Sequence, residues 1–141
     1  MSQENVEIVQ TAFAAFERGD TDALLQLCDE DIAISQPPDL PGIPGEQHGH
    51  SGVLEALAIW PEQWEDYRSE LVRIVADRGD HVVASARNRG RGKQSGAQVE
   101  MDFTFVFTVN DKKTVEWRLF LREDQGLEAA GLADRRCRRR T

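Results

Sequence analysis

Cysteine is scarce in this 141-residue chain, and there is a single tyrosine. Two cysteines, Cys28 and Cys137, are too few for a disulfide framework. A reducing, cytoplasmic setting is therefore the default expectation. No apolar run approaches the ~20 residues of a membrane-spanning helix, so no membrane partner is expected. The first residues lack the basic-then-apolar layout of a signal peptide. No internal repeat and no linker divides the chain, and nothing calls for a cofactor. Basic residues are scarce too. The formal net charge is −8, and five of the 17 Lys and Arg residues fall between Arg135 and Thr141. Without those five, 12 basic residues face 25 acidic ones. So acidic a body argues against nucleic acid as the main ligand, because phosphate binding needs a basic surface. The arginine-rich end reads as a solvated tail, with contact to nucleic acid or anionic lipid as the alternative. The expected layout is one domain over 1–132 and a basic, disordered tail over 133–141.

What is present in strength is alternation. Met101, Phe103, Phe105 and Phe107 alternate with Asp102, Thr104, Val106 and Thr108. Val115, Trp117, Leu119 and Leu121 alternate with Glu116, Arg118, Phe120 and Arg122. Period two over such lengths predicts strands over Ala97–Val109 and Thr114–Arg122, joined by a turn at 110–113, with a closing helix over Glu123–Ala130. Upstream, Val6, Val9, Ala12, Phe13 and Phe16 form the stripe of a helix over Gln3–Arg18, which Gly19 ends. Asp20 can cap a second short helix holding Leu24, Leu25, Leu27 and Cys28. Asp31–Gln36 reads as a strand. Four prolines and two glycines between Pro37 and Gly45 predict a loop that runs on to Ser51, the expected cap of a third helix with Val53, Leu54, Leu57 and Trp60 on one side. A fresh turn at Pro61 would bring Trp64 to that side. Strands over Tyr67–Ala76 and His81–Arg89 follow, and Gly90–Gly96 reads as a flexible connection without P-loop spacing. Helices first and consecutive antiparallel strands afterwards describe an α+β fold, a curved sheet wrapped over the N-terminal helices as a cone with an interior.

Several segments together carry a resemblance. These are Phe16-Glu17-Arg18-Gly19-Asp20, His50-Ser51-Gly52, Val115-Glu116-Trp117-Arg118-Leu119-Phe120 and Leu127-Glu128-Ala129-Ala130-Gly131-Leu132. With them the chain resembles the SnoaL-like family of the nuclear transport factor 2-like superfamily over about residues 3–132. That resemblance implies a cone-shaped α+β barrel, a deep apolar pocket and a homodimer through the outer sheet face. Relatives include polyketide cyclases, ketosteroid isomerases and limonene-type epoxide hydrolases. Where ketosteroid isomerases place a base aspartate before a proline, this chain has Gln36 before Pro37, and an amide is no general base. Aligned through Val106-Phe107 and Trp117-Arg118, the arginine of the epoxide hydrolases falls on Ala86 and their aspartates on Asn88 and Leu119. A slip of one residue would put Arg87 or Arg118 in play instead.

The expected pocket face carries Gln36, Ala86, Asn88, Met101, Phe103, Trp117, Leu119 and Leu121, with Trp60, Trp64 and Tyr67 as a stacking wall. Simple core packing by the same side chains is the competing reading. His48 and His50 share one face of an extended segment. They are the candidate catalytic bases, and a metal site there with Glu46 and Asp39 is a weaker reading. Arg87, Arg89, Glu100, Asp102, Glu116 and Arg118 fall on the opposite face, where ion pairs across strands are expected. The functional expectation is a protein that binds a small apolar molecule without the known catalytic dyads. The alternative is an isomerase, cyclase or lyase acting on a ketone-bearing or polyketide-like molecule.

Overall fold

A computed structural model describes residues 2–36 and 46–131. The elements are α1 (Ser2–Glu17), α2 (Thr21–Gln26), β1 (Cys28–Ser35), β2 (Glu46–His48), α3 (Gly49–Gln63), β3 (Trp64–Arg78), β4 (His81–Gly92), β5 (Gln98–Asn110), β6 (Lys113–Phe120) and α4 (Glu123–Ala129). All six strands form one open, curved α+β sheet in the order β2-β1-β6-β5-β4-β3. Every pairing is antiparallel except β1 with β6, which run parallel.

Local chemistry explains the boundaries. Gly19, at φ +75°, ends α1, and Asp20 N–H reaches back to Ala15 O at 2.9 Å, satisfying a carbonyl that the helix leaves free. The Asp20 carboxylate accepts from Ala23 N–H at 3.1 Å and starts α2. Helix α2 stops at Gln26, so Cys28 opens β1 rather than closing a helix, and its thiol donates to Leu24 O. Asp111 and Lys112 both take positive φ, the backbone that a two-residue turn between twisted strands requires.

The 15-residue β3 bends because its register against β4 shifts three times, between Glu65 and Arg68, Leu71 and Arg73, and Ile74 and Ala76. Each extra residue adds local twist and curvature. At the first shift Gly90 matters, because a Cβ there would lie 3.1 Å from the Trp64 side chain. The expected loop at 90–96 is therefore partly strand, and β4 continues to Gly92. Two other expectations change. β2 lies inside the expected loop, paired with Ala33–Ser35. Helix α3 starts at Gly49 and runs through Pro61. Its buried stripe passes through Val53, while Leu54 is 47% exposed.

Helices α1, α2 and α3 cover the concave face of the sheet. Val6, Val9, Ala12, Phe13, Leu24, Ile32, Ile34 and Val53 pack there with Val82, Ala84, Ala86, Phe107 and Trp117. The convex face has its own small cluster, where Val83, Val106 and Ala130 are joined by Val75, Ala76, Phe120 and Leu127. Helix α4 can approach because Gly126 has no side chain, and a Cβ there would collide with Thr104 Cγ2. No described helix is long and apolar enough to cross a membrane. The arginine-rich segment 133–141 lies outside the described residues.

Candidate functional site

Between the concave face and the helices lies a cavity of about 110 Å³. Its walls are apolar. Helices α1, α2 and α3 supply Ala12, Phe13, Phe16, Leu24, Ala56 and Leu57, and β5 and β6 supply Phe103, Phe105, Phe107, Trp117 and Leu119. The aromatic rings brace one another. Phe105 stacks on Phe107 at 5.7 Å between centroids, and Phe13 meets both edge-on at 6.0 and 5.9 Å. Phe107 in turn meets Trp117 at 6.2 Å. The Trp117 indole N–H is committed to Thr114 Oγ1 at 3.1 Å, so the indole presents only carbon to the cavity.

The remaining wall is polar and neutral. It is built by Ser35 and Gln36 at the end of β1, Tyr67 and Ser69 of β3, and Asn88 of β4. The Tyr67 hydroxyl donates to Asn88 Oδ1 at 2.7 Å, and Asn88 Nδ2 donates to Met101 O at 3.4 Å. Burial pushes the Tyr67 phenol up to about 12, although a hydrogen bond with Ser69 offsets part of that rise. Tyr67 thus keeps its proton at neutral pH. Gln36 Nε2 donates to Gln47 Oε1 at 3.0 Å. Gln36 Oε1 is buried and has no hydrogen-bond partner. None of the described lining residues is Asp, Glu, His, Lys or Arg.

Of the residues singled out from sequence, Gln36, Tyr67, Asn88, Phe103, Trp117 and Leu119 converge on this cavity. Met101 stands beside it in register with Asn88 and contributes its carbonyl. Trp64 packs against Gly90 and meets Tyr67 at 5.9 Å, away from the lining. Trp60 lies in α3, but its side chain is outside what the structure describes. Ala86 is fully buried beside the lining, and Leu121 is 37% exposed beyond the end of β6.

The histidines sit elsewhere. His48 is exposed and bonds Glu46 at 2.9 Å, and His50 Nε2 bonds the Cys28 carbonyl at 3.0 Å. Neither lines the cavity. Asp39 falls outside the described residues, among which no group of three or more His, Cys, Asp or Glu gathers.

The charged residues take the convex side. Arg87 forks onto Asp102 with bonds of 2.9 and 3.3 Å, and Arg89 reaches Glu70 and Glu100. The Asp102 carboxyl is held below its usual range, mainly by the Arg87 hydrogen bonds. Pairing of Ala86 with Phe103, Asn88 with Met101 and Phe107 with Trp117 keeps Ala86, Asn88 and Leu119 concave. No slip brings Arg87 or Arg118 inward.

Sequence reasoning missed Ala12, Phe13, Phe16, Ala56 and Leu57 as lining, because a helical stripe facing a cavity reads like one facing a filled core. Ser69 and Gln47 gave no signal, since their place depends on strand register and on β2.

The model of the SnoaL-like domain matches residues 9–117. No curated protein is significantly similar in sequence. An NTF2-like protein of unknown function from Burkholderia pseudomallei is 19% identical, with 89% of this chain and 95% of that chain aligned and a TM-score of 0.75. TerC, crystallised with polyporic acid, is 23% identical over 89% and 96% of the two chains, at a TM-score of 0.74. A candidate polyketide cyclase from Xanthomonas campestris is 24% identical over 88% and 94%, at 0.67. At these identities the likeness establishes the fold alone.

Proposed function

This chain belongs to the SnoaL-like domain family, and on that premise we propose that it binds a small, largely apolar molecule in the concave cavity and does no acid–base chemistry on it. One observation carries this reading. Among the described residues the cavity wall is aromatic and aliphatic, its polar groups are amides and hydroxyls, and the one titratable group, Tyr67, stays protonated at neutral pH. Such a wall can hold and orient a ligand. Its described residues offer no group with proton affinity near neutrality. A dry cavity of about 150 Å³ takes benzene, so about 110 Å³ suits a ligand of single-ring size. TerC, crystallised with polyporic acid, lends the reading support by analogy. Pairing of two copies through the convex face belongs to the same reading and rests on the family.

The competing reading is an isomerase, cyclase or lyase, and it draws on relatives described as candidate polyketide cyclases. It would need His48 or His50 as base, and both side chains are engaged away from the lining. Native mass spectrometry of gently purified protein tests the proposal. A dimer with an added small mass, lost in a variant whose cavity is filled, is the expected result. Turnover of a ketone or polyketide-like substrate that His50→Ala abolishes would overturn it.

A further inference from the structure

A buried polar atom that finds no partner is costly, and a binding site is one place where the cost is recovered. Gln36 Oε1 is such an atom, at the polar end of the cavity. Of the other polar groups there, Tyr67, Ser69 and Asn88 are engaged with neighbours. The Tyr67 proton is spent on Asn88 Oδ1, Ser69 bonds Tyr67, and Asn88 Nδ2 turns to the Met101 carbonyl. One N–H of the Gln36 amide is given to Gln47, which is 3% exposed. Among the described lining residues, the buried side-chain atom with no partner at all is an acceptor. Resting on the ligand-binding reading above, we infer that the ligand carries a hydroxyl or N–H donor on its ring frame and delivers that proton to Gln36 Oε1. A molecule whose one polar group is a ketone would leave Gln36 Oε1 unpaired. The sense of the Gln36–Gln47 bond thus sets the sign of the pole. With Gln36 as donor to Gln47, the cavity selects phenol-like or indole-like molecules over carbonyl compounds of equal size.

Three single-ring probes read this directly: toluene, phenol and benzaldehyde, titrated into the full-length protein by calorimetry. Toluene and phenol differ by a methyl against a hydroxyl. A hydroxyl buried without a partner would weaken phenol relative to toluene by roughly five- to a hundredfold. The expected result is that phenol binds at least as tightly as toluene, and benzaldehyde the most weakly. In Gln36→Met, which keeps the length and removes the amide, the ratio of phenol to toluene affinity should fall by about tenfold. Should that variant fold poorly, the wild-type protein still decides. Phenol, and not toluene, should shift the NMR signals of the Gln36 side-chain amide. Toluene binding more tightly than phenol would overturn the donor requirement while leaving the apolar cavity standing. Benzaldehyde binding most tightly would overturn it by showing that the amide pair runs the other way. No binding of any probe at millimolar concentration would overturn the ligand-binding reading together with the inference.

Discussion

The two faces of the β4–β5–β6 sheet are written in the same period-two code, yet they solve different problems. On the convex side apolar residues are covered and charges face opposite charges. Val83 and Val106 lie under α4, and farther along the strands Arg87, Arg89, Asp102 and Glu100 neutralise one another. On the concave side the rings pack against one another and the helices, and together with the polar end around Gln36, Tyr67 and Asn88 they border a cavity. The difference teaches that alternation states which side a residue faces and nothing about whether that side is filled. Filling depends on what arrives from elsewhere in the chain, here α4 on one face and three helices on the other.

The largest expected effect breaks the comparison at the aromatic wall. Phe107 is 4% exposed and touches Phe13, Phe105 and Trp117. Phe107→Ala should cost about 3–5 kcal/mol, read as a lower urea midpoint at unchanged slope. A loss under about 1 kcal/mol, well below that range, would mean that the aromatic wall is loosely packed.

The polar end is probed through proton linkage. Tyr67 is the only tyrosine, so its ionisation can be followed alone by ultraviolet absorbance. Its folded pKa, about 12, is raised above the ordinary value near 10. The associated stability is therefore fully present below pH 10 and is lost as pH rises through the window from 10 to 12. The loss should be of order 2–3 kcal/mol, seen as a steeper alkaline decline in wild type than in Tyr67→Phe. Identical declines would place the phenol in contact with solvent and open that end of the cavity.

On the convex face, Gly126→Ala should cost about 1–3 kcal/mol, because Thr104 occupies the space that the new methyl needs. Hydrogen exchange should show the loss concentrated in α4 and β5. Filling the cavity sharpens the contrast. Ala56→Leu adds atoms where none are displaced, so stability should change by less than about 1 kcal/mol, against the 1–3 typical of overpacking. Any bound mass should disappear. The smallest effect belongs to the ion pairs. Asp102→Asn, in a half-exposed pair, should leave the thermal midpoint within measurement scatter, since solvent screens what Arg87 supplies.

Much of the architecture was legible because its signals are local. The β5–β6 hairpin, the Asp20 cap and the Gly19 stop each depend on residues within a few positions. The convex charges were legible as well, because cross-strand pairs follow from alternation once the hairpin is placed. What escaped is long-range. The three residues of β2 have no pattern of their own and become strand only against Ala33–Ser35. Gly90–Gly92 looks like a loop until Trp64 needs the space above Gly90. The candidate site was read in part by its strands, without Phe105 and Phe107, and missed by its helices, since Phe13 and Leu57 satisfy a helical stripe whether or not a cavity lies beyond them.

The parallel β1–β6 ladder also has a consequence in time. The β3–β6 strands are joined by short reversals and can assemble as each emerges from the ribosome. β1 can meet the three residues of β2 early, but its other neighbour, residues 113–120, is made some eighty residues later. Until then Ile32 and Ile34 have only that short pairing, and closing so long a loop is slow. The β1 segment therefore waits, only partly covered, until β6 has been made. Aggregation or chaperone capture of nascent chains should concentrate in that interval and end once Phe120 has cleared the exit tunnel.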